Sequence, residues 1–373
     1  MDKKTYFRNV FSSKYVIAPF LLFFIFGGML QASGPVTKPV SFSSGGINLS
    51  GELTLPSEKG LFPGIVLFSG SGPQDRNGST KSIPGYRPFA VIAEHLAEKG
   101  YAVLRYDDRG VGESTGDYMS AVEDDFISDA ESAVRFLLSQ KEIDSRNVGV
   151  LGHSEGALIA AQVASQIPEV AFVISLAGGA VDGKSLLLQQ ARREAEAEGM
   201  SSEEVDRILD EQSRIFDLVS AKDWRQLTEV VAQSILNRLE SLPSEKTARL
   251  GDLKKFAQKR AEQSVSTFKH PRYQYLLNHN FAADWEKVSV PVLALFGGLD
   301  VQCDAGQNMA AMQRIFAESG NADLTIELIP EANHLFLKVE TGGMREYTSL
   351  SKDFAPGFLD LISDWLNKRS NKF

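Results

Sequence analysis

The 373-residue sequence predicts an α/β protein: a mostly parallel central sheet with helices on both faces and one helical insertion. Three observations carry this. Short runs that are apolar throughout recur along the chain, as strands buried on both faces require. Segments of helical spacing alternate with them, the order of a βα series. The alternation stops once, between residues 182 and 280, and then resumes. A hydrophobic fraction of 43% and a charged fraction of 23% are those of a soluble globular chain with an ample core.

Two alternating runs, Val40-Ser41-Phe42 and Ile47 to Leu53, flank Gly45-Gly46 and predict an edge hairpin. Gly64 to Phe68 follows as a buried strand, then a helix over Phe89–Lys99 and a strand over Tyr101–Tyr106. A helix is expected from about Ala121 to Gln140, a strand at Val148–Leu151, a helix at Ala157–Gln166 and a strand at Ala171–Leu176. From Asp182 to Asn280 the chain is rich in Glu, Gln, Arg and Leu. Leu186–Glu198, Ser202–Val219, Leu227–Leu239 and Glu245–Val265 there read as amphipathic helices. The βα pattern returns with Val290–Phe296, a helix over Gly306–Glu318, a strand at Leu324–Ile329 and a last helix, Pro356–Lys368. An insertion is the economical reading of a helical block inside a βα series. Residues 35–181 and 281–373 then form two parts of one core, with 182–280 inserted between them.

The N-terminus has a different character. Lys3, Lys4, Arg8 and Lys14 precede an apolar run, Tyr15 to Leu30, that ends in Gln31-Ala32-Ser33-Gly34. Basic start, short apolar segment and small residues at a cut after Ala32 predict a secretory signal over residues 1–34. The run falls short of the roughly 20 apolar residues of a spanning helix, and Pro19 interrupts it, so an uncleaved anchor is the weaker alternative. No lipobox cysteine follows. Residues 1–34 carry four basic groups and one acid, so the remainder is more acidic than the −9 of the whole chain. That charge disfavours nucleic acid and anionic membrane as partners. The single cysteine, Cys303, rules out an internal disulfide and any cysteine-rich metal site.

Gly-x-Ser-x-Gly occurs twice, around Ser154 and around Ser114, and the pattern alone is weak. Context separates the two. A nucleophile elbow is a sharp turn from a buried strand into a helix, with glycines making room for a strained serine. Val148–Leu151 and Ala157–Ala161 supply that strand and helix around Gly152-His153-Ser154-Glu155-Gly156. Gly112-Glu113-Ser114-Thr115-Gly116 lies in a glycine-rich loop with no helix directly after it. Ser154 is therefore the expected nucleophile and Ser114 a loop serine.

A serine hydroxyl needs a base, and the base an orienting acid. Of five histidines, His95 lies on an early helix, His270 and His279 belong to the insertion, and His153 sits inside the elbow, pointing away from the line of attack. His334 follows the last strand at its carboxyl end, where the loops of a parallel sheet converge. For a serine on such an elbow the acid falls between the two in the chain. Asp300 is expected there, just past Phe296-Gly297-Gly298-Leu299; Asp304 is its neighbour and competitor, Asp182 a more distant one, and helix capping the bland reading of Asp300. The oxyanion needs backbone donors. Glu155 N–H, at a helix start, is one; Ser71 N–H, with Gly70 second, is the other. The Glu155 carboxylate is explained by the helix N-terminus rather than by acid catalysis.

Gly70-Ser71-Gly72-Pro73-Gln74-Asp75-Arg76, Asp107 to Ser114, the elbow and Asn333-His334-Leu335-Phe336 together resemble the α/β-hydrolase superfamily. They are similar in particular to secreted bacterial esterases whose oxyanion loop reads Gly-Ser-Gly-Pro-x-Asp-Arg, and the likeness extends to Thr341-Gly342, Glu346-Tyr347 and Trp365-Leu366. The resemblance implies an α/β-hydrolase fold and hydrolysis of short acyl esters, with no metal or organic cofactor and a small-molecule ester as the partner. One departure is Glu331-Ala332 before His334, which sets an extra carboxylate close in sequence. Two rivals are a peptidase or amidase, which needs a group that binds a peptide terminus, and a binding protein on a hydrolase scaffold, which predicts a broken triad. The insertion is expected to cap the site, with Phe216, Trp224, Phe256, Phe268, Tyr273 and Tyr275 lining the pocket or forming its own core.

Overall fold

The computed structural model describes residues 34–79 and 83–370. The export signal expected over residues 1–34 lies, except for Gly34, outside the described residues. Within them, no helix is long and apolar enough to cross a membrane.

The described residues form one eight-stranded sheet: β1 (Val36–Ser44), β2 (Ile47–Leu55), β3 (Phe62–Phe68), β4 (Ala102–Tyr106), β5 (Ile143–His153), β6 (Val170–Leu176), β7 (Val292–Gly297) and β8 (Leu324–Ile329). Its order is β1-β2-β4-β3-β5-β6-β7-β8. The six strands from β4 to β8 run parallel, while β2 is antiparallel to both β1 and β4. This corrects the hairpin at one point. Of its two strands only β1 lies at a sheet edge; β2 is paired on both sides, and its Leu49, Leu53 and Leu55 are buried. The central strands bury Ile65, Val66, Val150, Leu151, Val173, Ile174, Leu293 and Leu295, as a sheet covered on both faces requires.

Between the strands run α1 (Pro88–Glu98), α2 (Glu123–Leu138), α3 (Glu155–Gln166), α10 (Ala282–Trp285) and α11 (Ala305–Ser319), and α12 (Phe358–Ser370) follows β8. Pro88 opens α1, where its fixed φ and missing N–H do no harm. The helical insertion holds α4 (Gly183–Ala197), α5 (Ser202–Ser220), α6 (Trp224–Glu240), α7 (Ser244–Thr247), α8 (Leu253–Phe268) and α9 (Pro271–Asn278). A bridge between Asp182 and Asn280 joins the two chain segments at its neck. The insertion packs around a small core of its own, including Ile215, Phe216, Val219, Leu227, Val231 and Val265.

Candidate active site

β5 ends in the elbow. Ser154 has φ 55° and ψ −119°, a left-handed backbone that a side chain resists and that the surroundings must impose. Its N–H donates to the Leu176 carbonyl at 2.8 Å, which ties the turn to β6. The flanking glycines are required by space: a Cβ on Gly152 would stand 2.1 Å from the Gly156 carbonyl oxygen, and one on Gly156 2.3 Å from that of Phe68. Ser154 thus projects from the carboxyl end of the sheet, immediately before the N-terminus of α3.

Asp300 and His334, each just past a neighbouring strand, meet at the same end. His334 Nδ1 lies 2.8 Å from Asp300 Oδ2, both groups buried. A carboxylate only accepts, so Nδ1 carries the hydrogen, and in the neutral ring Nε2 is the nitrogen with the lone pair. The other Asp300 oxygen accepts from the N–H groups of Gln302 and Cys303, at 2.7 and 2.8 Å. The competing acids are engaged elsewhere. Asp304 caps α11 and pairs with Arg193, and Asp182 caps α4. His334 is set by Asn333, whose side-chain oxygen accepts from the N–H groups of Leu335 and Leu337 at 3.0 Å each. Glu331, expected to bring a carboxylate near the histidine, is exposed and pairs with Lys338.

Of the remaining histidines, His153 lies close to the triad without joining it. Its Nε2 is 2.8 Å from the His334 carbonyl oxygen, so that nitrogen donates, and the two rings are 4.9 Å apart. Burial, followed by the neighbouring His334, pushes its pKa down to about 4, and the ring is neutral at physiological pH. His95 bonds Ser363, His270 begins α9, and His279 contacts Asp284. The second serine motif is occupied structurally: Ser114 Oγ donates to the Asp107 carbonyl and accepts from the Ser50 N–H.

The loop 69–76 faces the elbow. A Cβ on Gly70 would approach the Ser154 Cβ to 3.3 Å, so this backbone and the serine are near contact. The loop is held by two adjacent acids at the end of β4. Asp108 accepts from Ser69 Oγ at 2.7 Å and Gln74 N–H at 2.9 Å. Asp107 accepts from the Arg76 N–H and from its guanidinium. Burial raises the Asp108 pKa to about 7 despite these donors. Burial also opposes the charge of Asp107, but the Arg76 guanidinium outweighs it and holds that carboxyl below its usual range. Glu155 is the first residue of α3, so its N–H has no carbonyl four residues back to bond.

Ser154, His334, Gly70 and Ser71 line one cavity of about 220 Å³. Its apolar wall comes from α1 and the stretch before α12, including Tyr86, Phe89, Ile92, Leu335, Tyr347 and Phe354. Nothing from residues 182–280 is among the lining. The aromatic residues singled out in the insertion have other places. Phe216, Trp224, Phe268 and Tyr273 belong to its own core, and Tyr275 stacks on His279 and bonds Gln162. Phe256 is half-buried on α8.

The family model of the serine aminopeptidases, S33, matches residues 85–341, well over half of the chain. The chain belongs to this family. Esterase EstD of Thermotoga maritima is 27% identical over 296 residues, covering 78% of this chain and 59% of the relative, so the S33 chain spans little more than half of EstD. Among solved structures, the esterase Pf2001 of Pyrococcus furiosus superposes with a TM-score of 0.53 at 16% identity, covering 89% of this chain and 91% of its own. The acylaminoacyl peptidase of Pyrococcus horikoshii gives 0.51 at 14% identity over 90% of this chain and 42% of its own. At such identities the likeness shows the α/β-hydrolase fold.

Proposed function

We propose that this S33 protein is a carboxylic ester hydrolase acting on short acyl chains through Ser154, His334 and Asp300. The observation that carries the reading is the Asp300–His334 hydrogen bond, which holds the hydrogen of the neutral ring on Nδ1 and so keeps Nε2 as the basic nitrogen, in a residue that lines the same cavity as Ser154. Nε2 takes the Ser154 proton as Oγ attacks the acyl carbonyl, and the imidazolium is stabilised by the Asp300 carboxylate. The oxyanion is received by the N–H groups of Ser71 and Glu155, with Gly70 as the alternative on the loop side. The tetrahedral intermediate expels the alcohol, which leaves with the proton from His334. Water, deprotonated by His334 in turn, then releases the acid and restores Ser154. No step needs a metal or organic cofactor.

An ester is favoured over a peptide because the cavity wall is aromatic and aliphatic, and no Asp or Glu among its lining residues offers a partner to a free amino terminus. The named relatives EstD and Pf2001 are esterases. The export signal in residues 1–34 makes the site of action the periplasm or the medium; mass spectrometry of the protein from the producing cell should find a chain starting at Ser33. A panel of p-nitrophenyl acetate to octanoate and aminoacyl and acylpeptide p-nitroanilides tests the bond. Ester turnover that disappears in Ser154→Ala is the expected result; turnover of the anilides alone would overturn it.

A further inference from the structure

Arg272, the second residue of α9 in the insertion, reaches out of the insertion to the elbow. Its Nη2 donates to Glu155 Oε2 at 2.7 Å, and its Nη1 to the Tyr118 hydroxyl at the same distance. That hydroxyl also accepts the Gly72 N–H at 2.9 Å. The guanidinium lies over the Phe126 ring, 4.0 Å from its centre, and 5.1 Å from that of Tyr118. Glu123 stands 3.5 Å away on its other side. All three charged side chains are at least 85% buried, a setting in which ions persist only when paired and hydrogen-bonded. Burial works against the charge of Arg272, but Glu155 and Tyr118 outweigh it and raise its pKa above the ordinary guanidinium value. For Glu123 burial and then Glu155 push the pKa up to about 7.

The two groups that Arg272 holds sit beside the two sides of the oxyanion hole in the mechanism above. Glu155 carries one donor on its own backbone. Gly72 directly follows Ser71, which carries the other. We propose that Arg272 is a positioning residue: from the inserted helices it fixes Glu155 and, through Tyr118, the Ser71–Gly72 backbone, so that both donors converge on one oxygen. The inference rests on the hydrolase reading and adds a role for the insertion, which supplies no wall to the cavity. The N-terminus of α9 is also anchored to the segment that carries Tyr118, since His270 Nε2 bonds the Met119 carbonyl at 2.9 Å.

The test compares wild type, Arg272→Ala, Arg272→Lys and Tyr118→Phe on p-nitrophenyl butyrate, with active sites counted by a fluorophosphonate probe. Loss of a complete oxyanion donor costs about 10²–10³ in kcat, so two misplaced donors should cost at least about tenfold. KM should stay near the wild-type value, because Arg272 touches none of the acyl pocket. Guanidinium ion added to Arg272→Ala should restore kcat several-fold. Lysine should restore little, because a point charge cannot bond two partners in a fork. If Arg272→Ala does not fold, Tyr118→Phe keeps the Arg272–Glu155 ion pair, removes the hydroxyl that both Gly72 N–H and Arg272 Nη1 bond, and should lower kcat without moving KM. A kcat per labelled site equal to wild type in these variants, with only the melting temperature lowered, would overturn the proposal. So would a loss that guanidinium does not relieve while KM rises in step. A wild type that neither labels nor turns over esters refutes the hydrolase reading itself and this role with it.

Discussion

Asp300→Asn is the sharpest perturbation of the site, because the structure dictates how the amide must sit. The two Asp300 oxygens have different neighbours: Oδ1 accepts two backbone N–H groups and Oδ2 accepts one imidazole N–H. An asparagine keeps its oxygen on the two backbone donors, since the reverse would set an NH₂ against two N–H groups. Its NH₂ then faces His334 Nδ1, which must give up its hydrogen and become the acceptor. The proton moves to Nε2, the atom that has to receive one from Ser154. The geometry survives and the base is lost. The same change in a serine protease triad, a worked case rather than a value derived for this protein, costs about 10⁴ in kcat, or about 5 kcal/mol. Initial rates on p-nitrophenyl butyrate at pH 8, normalised to folded protein by circular dichroism, measure it. Asp304→Ala is the control. It loses a helix cap worth about 1 kcal/mol and should leave kcat alone. An Asp300→Asn enzyme within tenfold of wild type, or an Asp304 variant as damaged as Asp300→Asn, would refute the assignment of the acid.

Three further outcomes follow from the same geometry. Ser114→Ala should retain full kcat per folded molecule and lose about 1–3 kcal/mol in urea unfolding, because the Ser50 N–H and Asp107 carbonyl lose their partner. Equal turnover loss in Ser114→Ala and Ser154→Ala would contradict the choice of nucleophile. His153 titrates at about 4 in the folded protein against 6.5 when unfolded, so between these values the unfolded chain binds the extra proton. Stability from this group is present above pH 6.5 and declines as pH falls towards 4, by about 3 kcal/mol at most. His153→Gln, which keeps a donor for the His334 carbonyl, should flatten that part of the curve, and parallel pH curves for the two proteins would refute the shift. In an acyl series, each added methylene that still fits the cavity should raise kcat/KM by up to about fourfold, then the trend should break. Phe354→Ala opens the wall and should move the break to longer chains, whereas an unmoved break would place the acyl group elsewhere.

What could be read from the sequence divides by the range of the interactions involved. The βα series was legible because burial on both faces leaves an apolar run at each central strand, and Val150, Ile174 and Leu293 announce themselves without knowledge of their neighbours. The elbow was legible for a related reason: the apolar run Val148–Leu151 and the helix from Ala157 flank Gly152 and Gly156, whose missing Cβ atoms the tight turn requires. The place of β2 was not. Its alternation predicts a strand half-buried in a hairpin, and nothing local says that β4 completes its other side.

The two features that the sequence concealed share a cause. The wall of the cavity beside Ser154 is built from Tyr86, Tyr347 and Phe354, which sit outside the strands and α-helices, without periodicity, and meet beside the starts of α1 and α12. Arg272 lies past Val265, where the last of the insertion's expected helices ends, in a region whose charges are usually solvated. Its meaning lies in partners 117 and 154 positions away in the chain, Glu155 and Tyr118. Composition gives an insertion's helices but not their docking, so the inserted block is expected to cap the site, with its aromatic residues either lining the pocket or forming a core of their own. In the structure Phe216, Trp224, Phe268 and Tyr273 pack in the insertion's own core, and Arg272 makes the contact with the elbow. On the role proposed for Arg272, the insertion bears on transition-state charge before it bears on substrate size. That is why kcat and KM, measured separately in the Arg272 and Phe354 variants, should respond to different mutations.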